Sequence, residues 1–350
     1  MISKIKLKFL KHTQRYSIEG LKKKISVLLE NNGVIAMCPK ATGANWKGIN
    51  VSTQSMFPNQ WLEIPQHYSN QVVSDEDFEV LFSFFKEKGG TGIIFNGFPT
   101  YFKTIIPLAK KKDLNVSVIF NGGLSEFVGK NQCEISLNHI IKLYREKKID
   151  RVAIMKIGLD LCLQEIIRNK VYRVHPFVQE LKVQKLKLES GKIHIGVLAN
   201  GSYNKNRHNQ VAGALSIENS IVHILGENEF EYLGEKDRIV SHFNLVREDF
   251  LSLLGSMDVN LYVSYSESWG QVVTESVSLG VPCLCSNNSG IFDYNQRLKK
   301  LLEIEEYDNP YKIAERIKLV LSVEDLSNDY QEYIEKTNIN AQKLLNTFVE

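Results

Sequence analysis

The fold class is decided by the stretch 259-VNLYVSYSESWGQVVTESVSLGVPCLC-285. It opens with an apolar run, Val259–Val263, which is typical of a buried strand, and continues as a polar loop. A helix is expected to start near Trp269 and to end at Gly280, because glycine commonly ends a helix, and Pro282 opens the next strand. The stretch therefore predicts a strand–loop–helix–strand unit, the building block of a parallel α/β sheet.

Short apolar runs separated by helical patterns recur on both sides of this unit. They are Val34–Cys38, Gly92–Phe95, Val116–Phe120, Val152–Lys156 and Val171–Val174 in the first half, and Ile193–Leu198, Val222–Leu225, Val259–Val263 and Cys283–Cys285 in the second. One helix is well delimited: Asp75–Lys88, with Ser74 as N-cap and acids in its first turn. Since acids suit a helix start, we do not interpret Asp75-Glu76-Asp77 as a metal-binding D-x-D motif.

The domain organisation follows from length and composition. At roughly 100–200 residues per domain, 350 residues suggest two domains. We predict a first domain over 1–180, a charged linker over 181–192 and a second domain over 193–330. The closing segment Tyr311–Leu345 is helical and amphipathic, and we predict a C-terminal helix over 331–350, for which packing back onto the first domain is an option. The two α/β halves are expected to face a central cleft.

Composition excludes several classes of protein. With 43% hydrophobic and 24% charged residues the chain is predicted to fold, and a net charge of +3 is too small for a surface that tracks nucleic acid. No run reaches the ~18 apolar residues of a membrane span, the N-terminus lacks a secretory signal, and the five scattered cysteines suit reduced thiols. These features predict a cytoplasmic protein without nucleic-acid partners.

Residues 1–10, MISKIKLKFL, predict a strand with a basic face, either solvated or in peripheral contact with the inner face of an anionic membrane.

The loop after Val259–Val263 is the first candidate site. Ligands of parallel α/β sheets bind beyond the carboxyl ends of the strands, and amides at a helix start favour anions. Glu267 and Glu275 bracket this helix start. Because a carboxylate accepts hydrogen bonds from two vicinal hydroxyls, the two acids suit different parts of one hydroxyl-rich ligand. The alternative is that Glu267 caps nothing and Glu275 is a solvated helix residue.

A second candidate lies in Ile195–Gln210, a strand followed by a Gly/Asn/Lys/Arg loop and a helix. Lys205 and Arg207 at the helix start can neutralise a diphosphate, and whether Lys205, Arg207 or His208 faces the ligand stays open.

The acidic pair carries a family resemblance. Glu267-x7-Glu275, with Trp269-Gly270 after the first acid and Leu279-Gly280-Val281-Pro282 after the second, resembles the E-x7-E signature of retaining GT-B glycosyltransferases, family GT4. The usual motif is E-G-F-G-x-x-x-x-E-A-x-A-x-G-x-P, and this chain departs from it at Ser268, Trp269 and Ser276. The resemblance implies the GT-B fold, with two Rossmann-like domains facing a central cleft.

The resemblance also implies residue roles. Glu275 would hold the ribose of the nucleotide, Glu267 the donor sugar, and Asn121 would stand in the place of the family's active-site His. The implied catalytic residues are Glu267, Lys205, Arg207 and Asn121, and the implied donor-binding residues are Gly201, Ser268, Trp269, Gly270, Gln271 and Glu275.

The implied reaction is sugar transfer from a nucleotide-diphosphate sugar to an acceptor hydroxyl with retained anomeric configuration, without metal or cofactor. The implied partners are the nucleotide sugar and a glycan or lipid-linked acceptor, as in surface polysaccharide or glycoconjugate synthesis. The alternative is a catalytically inactive GT-B-like sugar- or nucleotide-binding protein, which Asn121 in place of His favours. A nicotinamide oxidoreductase is disfavoured because no G-x-G-x-x-G follows a strand.

Overall fold

The computed structural model describes residues 18–30, 33–41, 46–65, 74–124 and 132–350. The chain divides into two compact units, one formed by the residues up to Phe177 together with Ala341–Glu350, the other by Val178–Asn340. The strand predicted over residues 1–10 lies outside the described residues. No helix among the described residues is long and apolar enough to cross a membrane.

The first unit contains a six-stranded parallel sheet in the order β2-β1-β3-β4-β5-β6. Its elements are helix α1 (18–28), β1 (Val34–Pro39), α2 (Lys47–Met56), β2 (Trp61–Ile64), α3 (Asp75–Glu87), β3 (Gly92–Asn96), α4 (Phe102–Lys110), β4 (Asn115–Phe120), α5 (Gln132–Arg145), β5 (Arg151–Ile154), α6 (Leu159–Ile167) and β6 (Val171–Arg173). The central strands are apolar on both faces because helices cover both, which is why they read as continuous apolar runs.

Helix α3 confirms the predicted helix start. Ser74 Oγ accepts a hydrogen bond from Asp77 N (3.2 Å), and Asp77 Oδ2 accepts one from Ser74 N (3.1 Å), which completes a capping box. The three acids lie in the first turn, where the helix dipole favours them. The inner face of the helix buries Phe78, Leu81, Phe82 and Phe85.

The second unit contains a parallel six-stranded sheet of its own, in the order β12-β11-β10-β7-β8-β9. Its elements, which run on into the last helix of the chain, are β7 (Ile193–Val197), a 3₁₀ turn (Tyr203–Lys205), α7 (Arg207–Leu215), β8 (Ser220–Leu225), two further 3₁₀ turns (Glu231–Leu233 and Lys236–Arg238), β9 (Ile239–His242), α8 (Arg247–Leu254), β10 (Val259–Tyr262), α9 (Gln271–Ser278), β11 (Cys283–Ser286), α10 (Gln296–Leu302), β12 (Glu303–Ile304), α11 (Pro310–Leu321) and α12 (Ser327–Val349).

The charged stretch before β7 runs without regular structure along the second unit. Leu181, Val183 and Leu188 pack against an apolar cluster that contains Leu251 and Leu254 of α8. Leu181 N also donates a hydrogen bond to a serine hydroxyl of α9 (3.1 Å). Its apolar side chains therefore contribute to the core of that unit.

The closing helical segment is divided rather than continuous. The helix breaks between Leu321 and Ser327, where Asp325 Oδ1 accepts from Ser327 N (2.9 Å) and so caps the new helix. Near the end of α12, Leu345 and Phe348 are buried in an apolar cluster of the first unit. The last turn of α12 is thus part of the first unit's core.

Candidate active site

Two loops meet at the carboxyl ends of β7 and β10, which are neighbours in the sheet. Tyr265 N donates to Asn204 O (2.8 Å), and Val263 N donates to Gln210 Oε1 (2.9 Å). Asn206 Nδ2 donates to Val263 O (2.9 Å). The two candidate loops, one within Ile195–Gln210 and the other after Val259–Val263, are therefore joined by the sheet topology and by hydrogen bonds.

Asn206 separates the two basic residues of the first loop. It has a φ of 52°, in the left-handed region that asparagine tolerates better than most residues, and it precedes α7 as its N-cap. Lys205 before it and Arg207 after it have different partners, as described next. Because of the sharp turn at Asn206, the side chains of Lys205 and Arg207 point to different parts of the site.

Lys205 joins the two loops through its ammonium group. Lys205 Nζ donates to Glu267 Oε1 and to the hydroxyl of Tyr262 (2.8 Å), and the Lys205 and Glu267 side chains are only 14% and 12% exposed. Burial by itself would lower the pKa of Lys205, but the Tyr262 oxygen and the Glu267 carboxylate outweigh it and raise that pKa. Burial raises the pKa of Tyr262, so its phenol stays protonated. The cluster therefore holds one cation and one carboxylate at the end of β10.

Arg207 lies on the other side of the turn, against the end of β8. Its Nη2 donates to Leu225 O (3.0 Å), its Nη1 pairs with Glu229 (3.1 Å), and the guanidinium lies 5.2 Å from the centre of the Phe230 ring. Burial lowers the pKa of Arg207 and Glu229 opposes that shift, while the guanidinium keeps its charge. A Cβ on Gly201 would lie 3.3 Å from Nη1, so a residue without a side chain leaves room for the guanidinium.

Glu275 forms an ion pair with a different cation, Arg247. It lies in the second turn of α9, is 7% exposed, and its Oε1 is 2.5 Å from Nη2 of Arg247, the first residue of α8. Burial raises the pKa of Glu275, and Arg247 acts in the opposite direction. Arg247 was not among the predicted site residues. A signal for it in the sequence is a basic residue placed before Glu248 and Asp249 in a helix start, where acids are expected.

The start of α9 provides backbone donors. The helix begins at Gln271, two residues after the predicted start, because Gly270 adopts a left-handed conformation (φ 91°) and acts as an N-cap without a side-chain hydrogen bond. Ser268 is 7% exposed, and its Oγ has no hydrogen-bond partner among the described residues. Trp269 is 4% exposed and belongs to the apolar core of the second unit. A helix start of this kind favours an anionic group.

Asn121 lies in the first unit, directly after β4, whereas all the other predicted site residues lie in the second. Its Nδ2 donates to Met155 Sδ (3.0 Å). Its Oδ1 is buried without a partner among the described residues, so the amide keeps an unused acceptor. The catalytic role of Asn121, like the roles of the other site residues, stays a prediction.

The site in the second unit therefore combines three chemical features. Two separate acid–cation pairs, Lys205 with Glu267 and Arg247 with Glu275, follow the ends of parallel strands. A further cation, Arg207, lies beside the same turn, and the amides of a helix start stand between the two acids. The cations and the helix-start amides of this site can bind an anion. Its carboxylates can accept hydrogen bonds from the hydroxyl groups of a ligand.

Comparison with known families gives one match within the chain. Residues 178–337 match the family model described as glycosyl transferases group 1. The matched range contains both acid–cation pairs. No curated protein matches the sequence of this chain.

Solved structures share the fold over nearly the whole chain. The chain is similar to HepE of Anabaena in complex with UDP and glucose, with a TM-score of 0.60, 10% identity and coverage of 90% of this chain and 96% of HepE. It is similar to an alpha,alpha-trehalose-phosphate synthase (UDP-forming) of Burkholderia xenovorans in complex with glucose-6-phosphate (TM-score 0.59, 9% identity, 90% and 99% covered). It is also similar to WaaG, a glycosyltransferase involved in lipopolysaccharide biosynthesis (TM-score 0.55, 13% identity, 89% and 98% covered). The chain therefore has the GT-B fold, built from two Rossmann-like units, and the part of it that matches the glycosyl transferases group 1 model lies in the second unit.

Proposed function

We propose that this protein is a retaining, GT4-like glycosyltransferase that moves a sugar from a nucleotide-diphosphate sugar to an acceptor hydroxyl. One observation carries the proposal: Glu267 and Glu275, with seven residues between them in the motif, each pair with a different cation at the carboxyl edge of one parallel sheet. Two carboxylates held apart in this way suit two polyhydroxyl groups, and a nucleotide sugar has a ribose at one end and a hexose at the other.

The charges of the site suggest how the donor is bound. Glu275 accepts hydrogen bonds from the ribose hydroxyls, and Glu267 accepts from the donor sugar. Between them, Lys205, Arg207 and the amides of Gly270 and Gln271 stabilise the diphosphate as it departs, with Gly201, Ser268 and Trp269 shaping the pocket around it. This is electrostatic catalysis, in which fixed donors face the charge that develops in the transition state, and it requires no metal ion.

In the front-face route that retention suggests, the departing phosphate itself takes the proton of the acceptor hydroxyl, and Asn121 contributes an amide where related enzymes use a His. A glycan or a lipid-linked saccharide is the proposed acceptor, in line with the lipopolysaccharide role of WaaG. We further propose a cytoplasmic enzyme, with the basic N-terminal segment as the place for any contact with an anionic membrane surface.

Thermal unfolding with UDP, GDP, CDP and their sugars tests donor binding, because a ligand of the folded state raises the melting temperature. The wild-type protein should be stabilised by one nucleotide series, and Glu275→Gln should weaken that binding by about 10–100-fold, as expected for a lost charged hydrogen bond. Glu303→Gln is the matched control, since Glu303 on β12 is about as buried (6% exposed) and the charged groups that act on it are Lys299 and Asp293, which belong to neither acid–cation pair. Equal binding curves for the two variants would refute the role of Glu275.

Measuring turnover distinguishes an active glycosyltransferase from an inactive sugar-nucleotide-binding protein. A catalytically inactive sugar-nucleotide-binding protein stays the second candidate, because Asn121 cannot transfer a proton as a His can. An active enzyme releases the nucleoside diphosphate, and NMR of the glycoside or of the hydrolysed sugar reports whether the anomeric configuration is retained. Donor binding without any release of nucleoside diphosphate would favour the inactive binding protein.

A further inference from the structure

Arg247 lies at the N-terminus of its helix, an unusual position for a cation. It is the first residue of α8, where the positive end of the helix dipole disfavours a cation, and the next two residues, Glu248 and Asp249, are the acids expected there. Its guanidinium turns to α9 instead, with Nη2 2.5 Å from Glu275 Oε1. The Arg247 side chain is 33% exposed and that of Glu275 only 8%, so the arginine connects a buried acid to the surface.

The neighbouring residues Ser276 and Ser278 of α9 contact three uncharged groups. Strands β10 and β11 and the segment around Gln179 pack against α9, and they present to it the amide of Asn260, the thiol of Cys283 and a backbone carbonyl. Burial raises the pKa of Cys283, so this thiol is neutral. Among the described residues, Arg247 on α8 is therefore the charged group that acts on Glu275.

A buried carboxylate without a cation takes up a proton, because desolvation penalises the charged form. A protonated Glu275 would lose one acceptor oxygen and could no longer receive hydrogen bonds from both hydroxyls of a ribose. Arg247 holds Oε1 from one side, which leaves the remaining lone pairs of the carboxylate for the ligand.

We infer that Arg247 is a positioning residue that keeps the Glu275 carboxylate ionised and oriented for the nucleotide ribose, and that it thereby sets the pH range over which the nucleotide binds. This inference rests on the proposed function, since it assigns the ribose to Glu275. It adds a residue outside the E-x7-E motif, on a different helix, to the donor site.

UDP binding measured by calorimetry between about pH 7.5 and about pH 9 tests the inference, because over that range the phosphates of UDP are ionised and its uracil keeps most of its N3 protons. Wild-type affinity should change little with pH. Arg247→Met should bind UDP about 10-fold or more weakly near pH 7.5 and regain a large part of the loss toward pH 9, as Glu275 becomes ionised without its partner. Arg247→Lys should keep most of the wild-type affinity, since it restores a cation. In Arg247→Met/Glu275→Gln the pH dependence should vanish.

Arg297→Met is the matched control. Arg297 pairs with Asp329 (2.6 Å), whose side chain is 12% exposed, in the same unit, so the variant breaks a similar ion pair elsewhere. Its UDP affinity should equal that of the wild type. A loss in Arg247→Met that is constant at every pH, or no loss at all, would overturn the inference while the proposed function stands. If the wild-type protein binds none of UDP, GDP and CDP, the proposed function fails and the inference fails with it.

Discussion

Lys205 and Glu267 form a buried ion pair that links the turn after β7 to the loop after β10. The lysine is predicted to bind a diphosphate and the glutamate a sugar, so their contact joins groups expected at two neighbouring parts of one ligand. Removal of one member of a buried ion pair leaves the other uncompensated, whereas removal of both is far less costly. The pair therefore allows a double-mutant test.

Lys205→Met and Glu267→Gln should each lower kcat by about 10²–10³-fold, the range found when one preorganised electrostatic group is removed from an active site. The double variant should lose much less than the product of the two single losses, because the two groups act as a unit. Steady-state release of the nucleoside diphosphate measures all three. Lys110→Met, which breaks the partly buried pair with Asp150 in the first unit, serves as the control. Losses that multiply would show that the two residues act independently.

Arg207 and Glu229 give a second prediction. Glu229 is 45% exposed, so its ion pair with Arg207 contributes little stability and is open to competition from a phosphate. Arg207→Met should lower kcat/KM for the donor by about 10–100-fold, the cost of one or two charged hydrogen bonds. Glu229→Gln should leave kcat/KM unchanged or raise it by about 2–3-fold, since it frees the guanidinium for the ligand. A comparable loss in Glu229→Gln would mean that the two residues act together in the fold and that no phosphate replaces the carboxylate.

The sequence predicted the central strands of both sheets and the edge strand β6, but missed the other three edge strands. Strands β2 (Trp61–Ile64), β9 (Ile239–His242) and β12 (Glu303–Ile304) are short, and each lies at an edge of its sheet. An edge strand has one paired neighbour and one less covered side, so it need not be a continuous apolar run. Central strands, covered on both faces, have to be apolar and can therefore be seen in the sequence.

The candidate site shows a similar limit. Glu267 and Glu275 were found because one strand–loop–helix unit fixes their spacing. Arg247 was missed because it meets Glu275 through space from another helix, 28 positions away in the sequence. Tyr262 looks like an ordinary strand residue in the sequence, and the fold brings its hydroxyl to Lys205. Local spacing thus predicts residues within one motif, whereas their partners depend on how neighbouring elements pack.

Chelation tests the proposed absence of a catalytic metal. Because the cations Lys205 and Arg207 and the helix start of α9 are proposed to stabilise the diphosphate, a chelator should leave kcat within about 2-fold of its value in untreated enzyme. Activity is measured after dialysis against EDTA, with and without added Mg²⁺ or Mn²⁺. Full loss in EDTA that either ion restores would show that the diphosphate is neutralised by a metal.

Three histidines on adjacent strands form a hydrogen-bonded row. His194 on β7, His223 on β8 and His242 on β9 are joined by N···N distances of 3.0 and 2.9 Å, and His194 Nε2 lies 2.9 Å from Glu189 O. A carbonyl oxygen only accepts, so His194 Nε2 carries a proton, and in the neutral row each following Nε2 donates to the Nδ1 of the preceding ring. Burial, reinforced by the other two rings, lowers the pKa of His223 to about 4.

This row predicts that acid destabilises the second unit. The pKa of His223 is about 4 in the fold against an ordinary 6.5, so the unfolded chain binds more protons between these values and the free energy of unfolding falls as pH drops from 6.5 to 4. The loss from His223 is on the order of 3 kcal/mol, or about 5–10 °C in melting temperature. Melting curves of wild-type protein and His223→Gln over this range measure it. The variant should have a lower melting temperature at neutral pH, because it lacks the packing of the imidazole ring. Its melting temperature should fall less than that of the wild type on acidification. Parallel curves for the two proteins would place the acid sensitivity in other groups.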